Sequence, residues 1–347
     1  MNRVLGIDPG TSSWDLVGLE HGCLFFERSI PTSEIKRNPL ELIKLVESMN
    51  LDVLVAPSGY GLPLKKVKDL TSRDLRLLVL KRRDDARVMG LSSVLELLKR
   101  TEVEAYIIPG VKHLPTVPEF RKINKIDMGT PDKVCTAALA LAEQAARLGI
   151  DYDQTSFILI ELGSAFNAVL AIKDGKIIDG IGGTLAQLGF SAAGRMDGEL
   201  AYLLGGFDKE HLYRGGVKDI LAKDITPEEL LKEEDTLAFN AYIEGILKDV
   251  AEMRVSLGHE PREILISGKL AYLKQVLGDK RVMPIETVKG FARVKHAAQG
   301  AALLADGLAG GSYARLIECL ELKECRHSSL DFIFLGDSAQ FRWDDLS

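Results

Sequence analysis

The sequence Leu5-Gly6-Ile7-Asp8-Pro9-Gly10-Thr11-Ser12-Ser13 joins an apolar segment to a turn of small and hydroxyl-bearing residues. Its pattern predicts a carboxylate, Asp8, at the end of a buried strand. Such a turn can present backbone N–H groups and hydroxyls to phosphate oxygens, and the carboxylate is a hard ligand suited to magnesium. The same residue types also suit a plain hairpin turn, so the stretch alone leaves both readings open.

A second stretch, Ile160-Glu161-Leu162-Gly163-Ser164-Ala165-Phe166-Asn167, has the same arrangement. Each stretch ends an apolar strand with a carboxylate, continues into a small-residue turn and precedes two further predicted strands. This repetition predicts one supersecondary plan used twice, with two acidic turns facing each other across a cleft. The cleft suits phosphoryl transfer, in which a protein mostly positions phosphates and neutralises their charge.

Three further segments complete the pattern. Glu263-Ile264-Leu265-Ile266-Ser267-Gly268 predicts a late buried strand, and its glycine either lets the backbone approach a ligand or simply ends the strand. Alanine-rich residues 132–148 and 294–308 predict two helices that approach their neighbours closely. Asp132 in the first of these helices is either a base for an incoming hydroxyl or a complement to the helix dipole.

The composition limits the class of protein. A chain of 347 residues with 46 % apolar side chains favours two domains, each with its own core. The net charge of −6 argues against a nucleic-acid partner, and no apolar run reaches the roughly 18 residues of a membrane span. The first residues predict a strand instead of a signal peptide, so we expect a cytoplasmic protein. Four cysteines without a CxxC pair favour reduced thiols.

In this order, the motifs resemble those of the acetate and sugar kinase, Hsp70 and actin superfamily over about residues 1–310. Residues 6–12 look like its first phosphate motif, residues 161–164 like its second and residues 264–269 like its adenosine motif. The resemblance implies an α/β fold of duplicated ribonuclease H-like, actin-like ATPase domains around a nucleotide cleft. It implies one domain at 1–135, with 310–347 packing on it, and a nucleotide-binding domain at 136–309.

Residues 162–194 are most similar to the acetate and butyrate kinases, and the overall layout resembles an archaeal group described as predicted butyrate kinases. The resemblance implies an ATP- and Mg²⁺-dependent kinase that acts on a small molecule, with a short-chain carboxylate as the first choice. The catalytic residues it implies are Asp8, Glu161, Arg195 and Asp132, and the metal ligands are Asp8 and Glu161. The cofactor-binding residues are Gly10, Thr11, Ser12, Gly163, Ser164, Asn167, Ser267, Gly268 and Lys269.

Four positions depart from the superfamily pattern. Glu161 stands where carboxylate kinases usually have histidine, Ala165 replaces a glycine, Lys269 replaces the second glycine of the adenosine motif, and Arg195 follows the glycine that it would normally precede. These departures leave two alternatives open: a nucleotide-switched regulatory ATPase, and a degenerate nucleotide-binding protein without phosphotransfer. A homodimer would be common for such enzymes, and we expect no nucleic-acid or membrane partner.

Overall fold

The strands form two sheets. The computed structural model describes residues 2–80, 90–206, 208–278 and 284–334. The first half of the chain contributes β1 (Arg3–Pro9), β2 (Ser13–Glu20), β3 (Cys23–Pro31), β4 (Val53–Val55), β5 (Lys65–Lys66) and β6 (Glu104–Ile107). The second half contributes β7 (Ser156–Leu162), β8 (Asn167–Lys173), β9 (Lys176–Gly182), β10 (Glu263–Gly268) and β11 (Ile285–Thr287).

The two sheets share one topology over five strands, and the first sheet has a further strand, β5, that pairs antiparallel with β6. The first sheet has the strand order β3-β2-β1-β4-β6-β5, and the second has the order β11-β10-β7-β8-β9. In each, an antiparallel meander of three strands opens the half, and later strands add in parallel beside the first strand. This repetition confirms the duplicated plan that the two acidic turns predicted. It also places the carboxyl ends of β1 and β7 at equivalent positions in the two sheets.

Helices cover the sheets and fill the space between them. Those of the described residues are α1 (Thr32–Arg37), α2 (Pro39–Ser48), α3 (Ser72–Val79), α4 (Leu91–Leu98), α5 (Glu119–Lys122), α6 (Pro131–Leu148), α7 (Gly198–Leu203), α8 (Val217–Leu221), α9 (Leu237–Leu257), α10 (Lys274–Gly278), α11 (His296–Leu308) and α12 (Ala314–Cys319). Within the described ranges, no helix combines the length and apolar character needed to cross a membrane.

Each of the two alanine-rich helices contacts the sheet of the other half of the chain, and in this sense the helices are exchanged. Helix α11 follows the strands of the second sheet but packs on β1, β2 and β4 of the first. Helix α6 follows the first sheet but contacts β7, and its Gln144 bonds to Ser156 and Glu263 at the start of the second sheet. The two helices therefore form a shared middle layer, with a single apolar core running from the first sheet to the second. The outer faces of the sheets pack against α2 and α4 on one side and α9 on the other.

Small residues make this middle layer possible. Gly300 of α11 lies directly against the Cys135 carbonyl of α6, so that a Cβ at this position would overlap the carbonyl oxygen. Gly6 of β1 has the same relation to the backbone of Ala302. The sequence-based prediction of closely packed helices is confirmed, because backbone meets backbone at both points.

The predicted element boundaries agree with the structure except at a few ends. The helix predicted at 132–148 is confirmed, with proline in its first turn and Gly149 in the left-handed conformation at its end. The helix predicted at 294–308 begins two residues later, at His296. The domain boundary predicted between residues 135 and 136 falls inside α6 and remains a prediction.

The C-terminal segment contacts both halves of the chain. Helix α12 packs on α11, and Lys176 of the second half pairs with Glu321 at 2.6 Å. Further along, the Ser329 carbonyl accepts a hydrogen bond from the buried Lys112 of the first half, at 2.7 Å. Residues 335–347 of the predicted extension lie outside the described residues.

His113 lies in the core beneath this segment. Its Nδ1 accepts a hydrogen bond from the Gly110 amide at 3.2 Å, and its Nε2 is 3.4 Å from the Ser329 hydroxyl. Burial, together with the neighbouring lysines, lowers the pKa of His113 from 6.5 to about 4. The imidazole is therefore neutral in the folded protein.

We expect Gly300→Ala to lower the free energy of unfolding by about 3 kcal/mol or more, because the new methyl group would force α6 and α11 apart. Chemical denaturation measures this change. Gly278→Ala is the matched control, because Gly278 ends a helix and no atom lies near its added Cβ. Equal stability of the Gly300→Ala variant and the wild type would contradict the packing described above.

We expect His113 to make the fold less stable in acid. Between pH 6.5 and about 4 this imidazole is protonated in the unfolded chain but neutral in the folded protein. The free energy of unfolding therefore falls as the pH falls. From pH 7 to pH 5, wild type should lose about 2 kcal/mol more than His113→Asn, whose Oδ1 can still accept from the Gly110 amide. Denaturation midpoints at the two pH values measure the difference. His259→Asn, an exposed control, should follow wild type.

Candidate active site

Asp8 and Asp15 lie directly opposite each other on β1 and β2, where two like charges repel. Lys295 relieves this repulsion. Its Nζ lies 2.7 Å from Asp15 Oδ2 and 3.4 Å from Asp8 Oδ2, and it donates a hydrogen bond to the Ser13 carbonyl at 2.8 Å. Lys295 is the residue that caps α11, so the exchanged helix brings a cation to the carboxylates of the first sheet.

The second acidic turn has an equivalent partner. Lys133, in the first turn of α6, places its Nζ 3.1 Å from Glu161 Oε1 and 2.6 Å from Asp132 Oδ2. The Thr130 hydroxyl donates a hydrogen bond to Asp132 as well. Among the residues that the structure describes, no hydrogen bond reaches the other oxygen of Glu161, the buried Oε2. The structure thus brings six charged side chains together at the ends of β1 and β7. This charged cluster consists of Asp8, Asp15, Asp132, Glu161, Lys133 and Lys295.

The carboxyl groups of this cluster differ in their affinity for a proton. Burial raises the pKa of Asp8 to about 7, although Lys295 opposes the change. Burial also raises the pKa of Glu161. At Asp132, burial acts in the same direction, but the adjacent Lys133 outweighs it and holds the pKa below its usual value. Asp132 therefore remains ionised at neutral pH, which a general base requires.

The first phosphate turn is lined by lysine. The ammonium of Lys295 occupies the space beside Gly10 where any side chain would have its Cβ. Lys269 reaches across from the end of β10 and donates to the Ser12 hydroxyl at 3.3 Å. Thr11, which lies between Gly10 and Ser12 in the sequence, is exposed. The turn therefore combines small residues with two positive charges, a combination that suits a phosphate group.

The second turn is held by the loop that follows β9. The Gly163 amide donates to the Phe166 carbonyl at 3.1 Å, and the Ser164 carbonyl accepts from the Ser191 hydroxyl at 3.1 Å. One of these bonds closes the turn on itself, and the other ties it to the loop after β9.

Asn167 has a packing role in this structure. Its side-chain nitrogen donates to the Leu188 carbonyl at 3.0 Å, and its side-chain oxygen accepts from the buried Tyr242 hydroxyl at 2.9 Å. Both ends of the amide are thereby used away from the charged cluster. The structure does not bring this predicted cofactor-binding residue to the lysines and carboxylates.

The predicted adenosine motif borders the cluster. Ser267 is aligned with Glu161 on the neighbouring strand, and its hydroxyl lies 2.7 Å from His296 Nδ1. Gly268 has φ +95°, and a Cβ there would overlap the Leu162 carbonyl, so only glycine fits. Lys269 follows and, as described above, spans the gap to the first half. The three residues therefore lie between the two sheets at their carboxyl-terminal edge.

Arg195 is not part of the charged cluster. Its guanidinium forms two hydrogen bonds with Glu252, at 3.0 and 3.3 Å, and lies 3.8 Å from Asp249 Oδ1. Both acids belong to α9, which offers the nearest counter-charges. Arg121 likewise bonds outside the cluster and donates to the carbonyls of Ile178 and Ser256.

A further contact between the halves surrounds Tyr60. Lys209 lies with its Nζ 4.9 Å from the centre of the Tyr60 ring and donates to the carbonyls of Val79 and Leu80. Burial raises the pKa of Tyr60, and the charge of Asp127 adds to this effect. Asp127 in turn interacts with Asp132, so this region adjoins the charged cluster.

Sequence reasoning missed Lys133, Lys295 and Asp15 as members of the site. One signal could have found the two lysines, because each stands at the start of an alanine-rich helix in its own half. The role of Asp15 follows only from its pairing with Asp8 across β1 and β2. That pairing depends on the length of the turn between the strands, which composition does not specify.

The predicted magnesium ligands do not form a metal-binding set together. Asp8 already shares an ammonium ion with Asp15, and Glu161 shares another with Asp132. In the part of the chain that the structure describes, no three histidine, cysteine, aspartate or glutamate side chains converge as a metal site. The donor set at Asp8 does not fit a divalent ion beside Lys295, whereas Glu161 retains one free oxygen.

Three solved structures are similar to this chain over most of its length. The acetate kinase of Entamoeba histolytica is 14 % identical, with a TM-score of 0.57 over 80 % of this chain and 86 % of that one. The acetate kinase of Porphyromonas gingivalis is 17 % identical, with a TM-score of 0.55 over 81 % and 86 %. A propionate kinase from Francisella tularensis is 13 % identical, with a TM-score of 0.57 over 87 % and 98 %.

At these identities the similarity concerns the fold. It confirms the predicted fold class: duplicated α/β domains like those of the acetate and propionate kinases. A family model described as "Protein of unknown function (DUF1464)" matches residues 6–335. Because this match covers nearly the whole sequence, the chain belongs to the DUF1464 family.

Proposed function

We propose that this protein is an ATP-dependent kinase of a small molecule, with a short-chain carboxylate such as butyrate or acetate as the acceptor. The observation that carries the proposal is the charged cluster, in which equivalent strands of two duplicated sheets present acids to lysines from exchanged helices. The fold shared with acetate and propionate kinases supports it. The layout that resembles predicted butyrate kinases gives the acceptor class.

In this proposal the phosphates lie between the two acidic turns. Lys295 and Lys269 border the first turn, and Lys133 lies on the opposite side of the cluster. Three ammonium groups from both halves can neutralise a polyphosphate more completely than either half alone. The nucleoside would lie against residues 267–269, where glycine lets the backbone come close. The proposed domains, residues 1–135 and 136–309, would close over the nucleotide.

Transfer to a carboxylate needs little proton chemistry. A carboxylate oxygen of the acceptor attacks the γ-phosphorus, the bond to the bridging β–γ oxygen breaks, and ADP leaves with that electron pair. The acceptor is already ionised at neutral pH, so no base has to remove a proton. A hydroxyl acceptor would need one, and Asp132, with its lowered pKa, is the residue suited to that role. No step is assigned to a metal ion.

The acceptor would bind beside Tyr60 and Asp127. Tyr60 belongs to the loop at 57–63, and Lys209 contacts its ring from the second half. Burial raises the pKa of Asp127 to about 6, so this carboxyl is still mostly ionised at neutral pH. A nucleotide-switched ATPase is the second candidate. It is favoured by the positions of Arg195 and Arg121, which bond to Glu252 and to the Ile178 carbonyl instead of the charged cluster.

We expect ADP release from ATP to be stimulated by one class of compound in a panel of short carboxylates, hydroxy acids and sugars. Glu161→Gln and Lys133→Met should each lower the stimulated rate at least about 100-fold, because both remove charge next to the transferring group. Asp132→Asn should leave transfer to a carboxylate within about tenfold of wild type and abolish transfer to a hydroxyl.

Asp52→Asn is the matched control, since Asp52 is an exposed carboxylate that only caps the start of β1. Slow ADP release that no acceptor stimulates, but that Glu161→Gln abolishes, would favour the switch. If the folded wild type neither released ADP nor bound ATP, both of these functions would be contradicted.

A further inference from the structure

The ammonium group of Lys295 lies in an oxygen-lined site that resembles the surroundings of a metal ion. Two carboxylates from adjacent strands, Asp8 and Asp15, face it together with the main-chain carbonyl of Ser13. Carboxylate and carbonyl oxygens are the ligands that bind magnesium and calcium in proteins. Here an ammonium ion occupies the centre of these ligands.

The backbone around Lys295 holds this position. Its helix, α11, packs on β1 so closely that Gly6 contacts the main chain of Ala302. Lys295 immediately precedes the helix, and the next residue, His296, is fixed by Ser267. The side chain therefore starts from a rigid point and reaches the space beside Gly10 in the first phosphate turn. A flexible surface lysine would lose more conformational freedom in such a contact.

The location also matches the place where a cation is needed. The turn at Gly10 is one of the two that we propose for the phosphates, and the two aspartates beside it would repel a polyphosphate. A cation between the aspartates removes that repulsion and leaves positive charge directed at the turn. A divalent ion at the same oxygens would lie only a few ångströms from the ammonium, where like charges repel strongly.

We infer that Lys295 is the built-in cation of the first phosphate turn and replaces a divalent metal ion between Asp8 and Asp15. Two consequences follow. The wild-type protein has no affinity for a divalent ion at these oxygens, and removal of the lysine creates a metal site there. In addition, and resting on the proposed function, the nucleotide binds without a divalent ion bridging it to Asp8.

The first test uses Mn²⁺ alone, detected by electron paramagnetic resonance in the absence of nucleotide. We expect Lys295→Met to bind one Mn²⁺ at least tenfold more tightly than wild type, and Asp15→Asn in the same chain to abolish the gain. Lys269→Met is the matched control, because Lys269 contacts Ser12 and pairs with no carboxylate among the described residues. If Lys295→Met does not fold, Lys295→Gln, which can still donate to the Ser13 carbonyl, takes its place.

Two results would overturn the inference. One is a Mn²⁺ site in wild type that Asp15→Asn removes, and the other is a folded Lys295 variant that gains no Mn²⁺. Calorimetry with ATP gives a second readout on wild type: we expect affinities in EDTA and in Mg²⁺ to agree within about threefold. A tenfold loss in EDTA would count against Lys295 as the cation. Failure to bind ATP under either condition would overturn the proposed function, while the Mn²⁺ experiment still decides the role of Lys295.

Discussion

The contact between α6 and α11 is the constraint on which the rest of the molecule depends. Gly300 lies against the main chain at Cys135, and at this distance no side chain can separate the helices. Because each helix crosses to the sheet of the other half, their contact joins both sheets into one core. It also determines where the helices begin, and both begin at the carboxyl-terminal edge of the sheets. The position of the candidate site is therefore set by backbone packing.

This exchange explains the charge arrangement of the site. Each sheet ends its first strand with an acid, and each acid meets a lysine from the start of the helix packed beside it. A buried carboxylate without a cation would destabilise the fold. The raised pKa of Asp8 indicates that Lys295 offsets only part of this destabilisation. A polyphosphate would compete for the same lysines. The affinity of the site for an anion is thus linked to the pairing between the two halves.

Much of the fold was predictable, and for local reasons. A strand that ends in Asp8 or Glu161 needs only an apolar run and a turn, and both are visible in the sequence. The alanine-rich helix at 132–148 has its proline and its final glycine in place. The candidate site was less predictable. Asp8, Glu161 and Asp132 were identified because they stand beside such local signals. Asn167 and Arg195 match motif positions in the sequence, but in the structure they bond to Tyr242 and Glu252.

The sequence by itself determined the duplicated α/β plan, the two acidic turns and the small-residue helices, because each depends on residues close together in the chain. Only the tertiary structure decided that the helices exchange sheets, that Asp15 faces Asp8, and that Lys295 lies between them. The positions of α11 and Lys295 depend on contacts with residues hundreds of positions away in the chain, whereas the pairing of Asp15 with Asp8 depends on the register of the β1–β2 hairpin. These contacts are stabilised by burial and by charge pairing. Composition and periodicity do not indicate which distant residue becomes the partner in each contact.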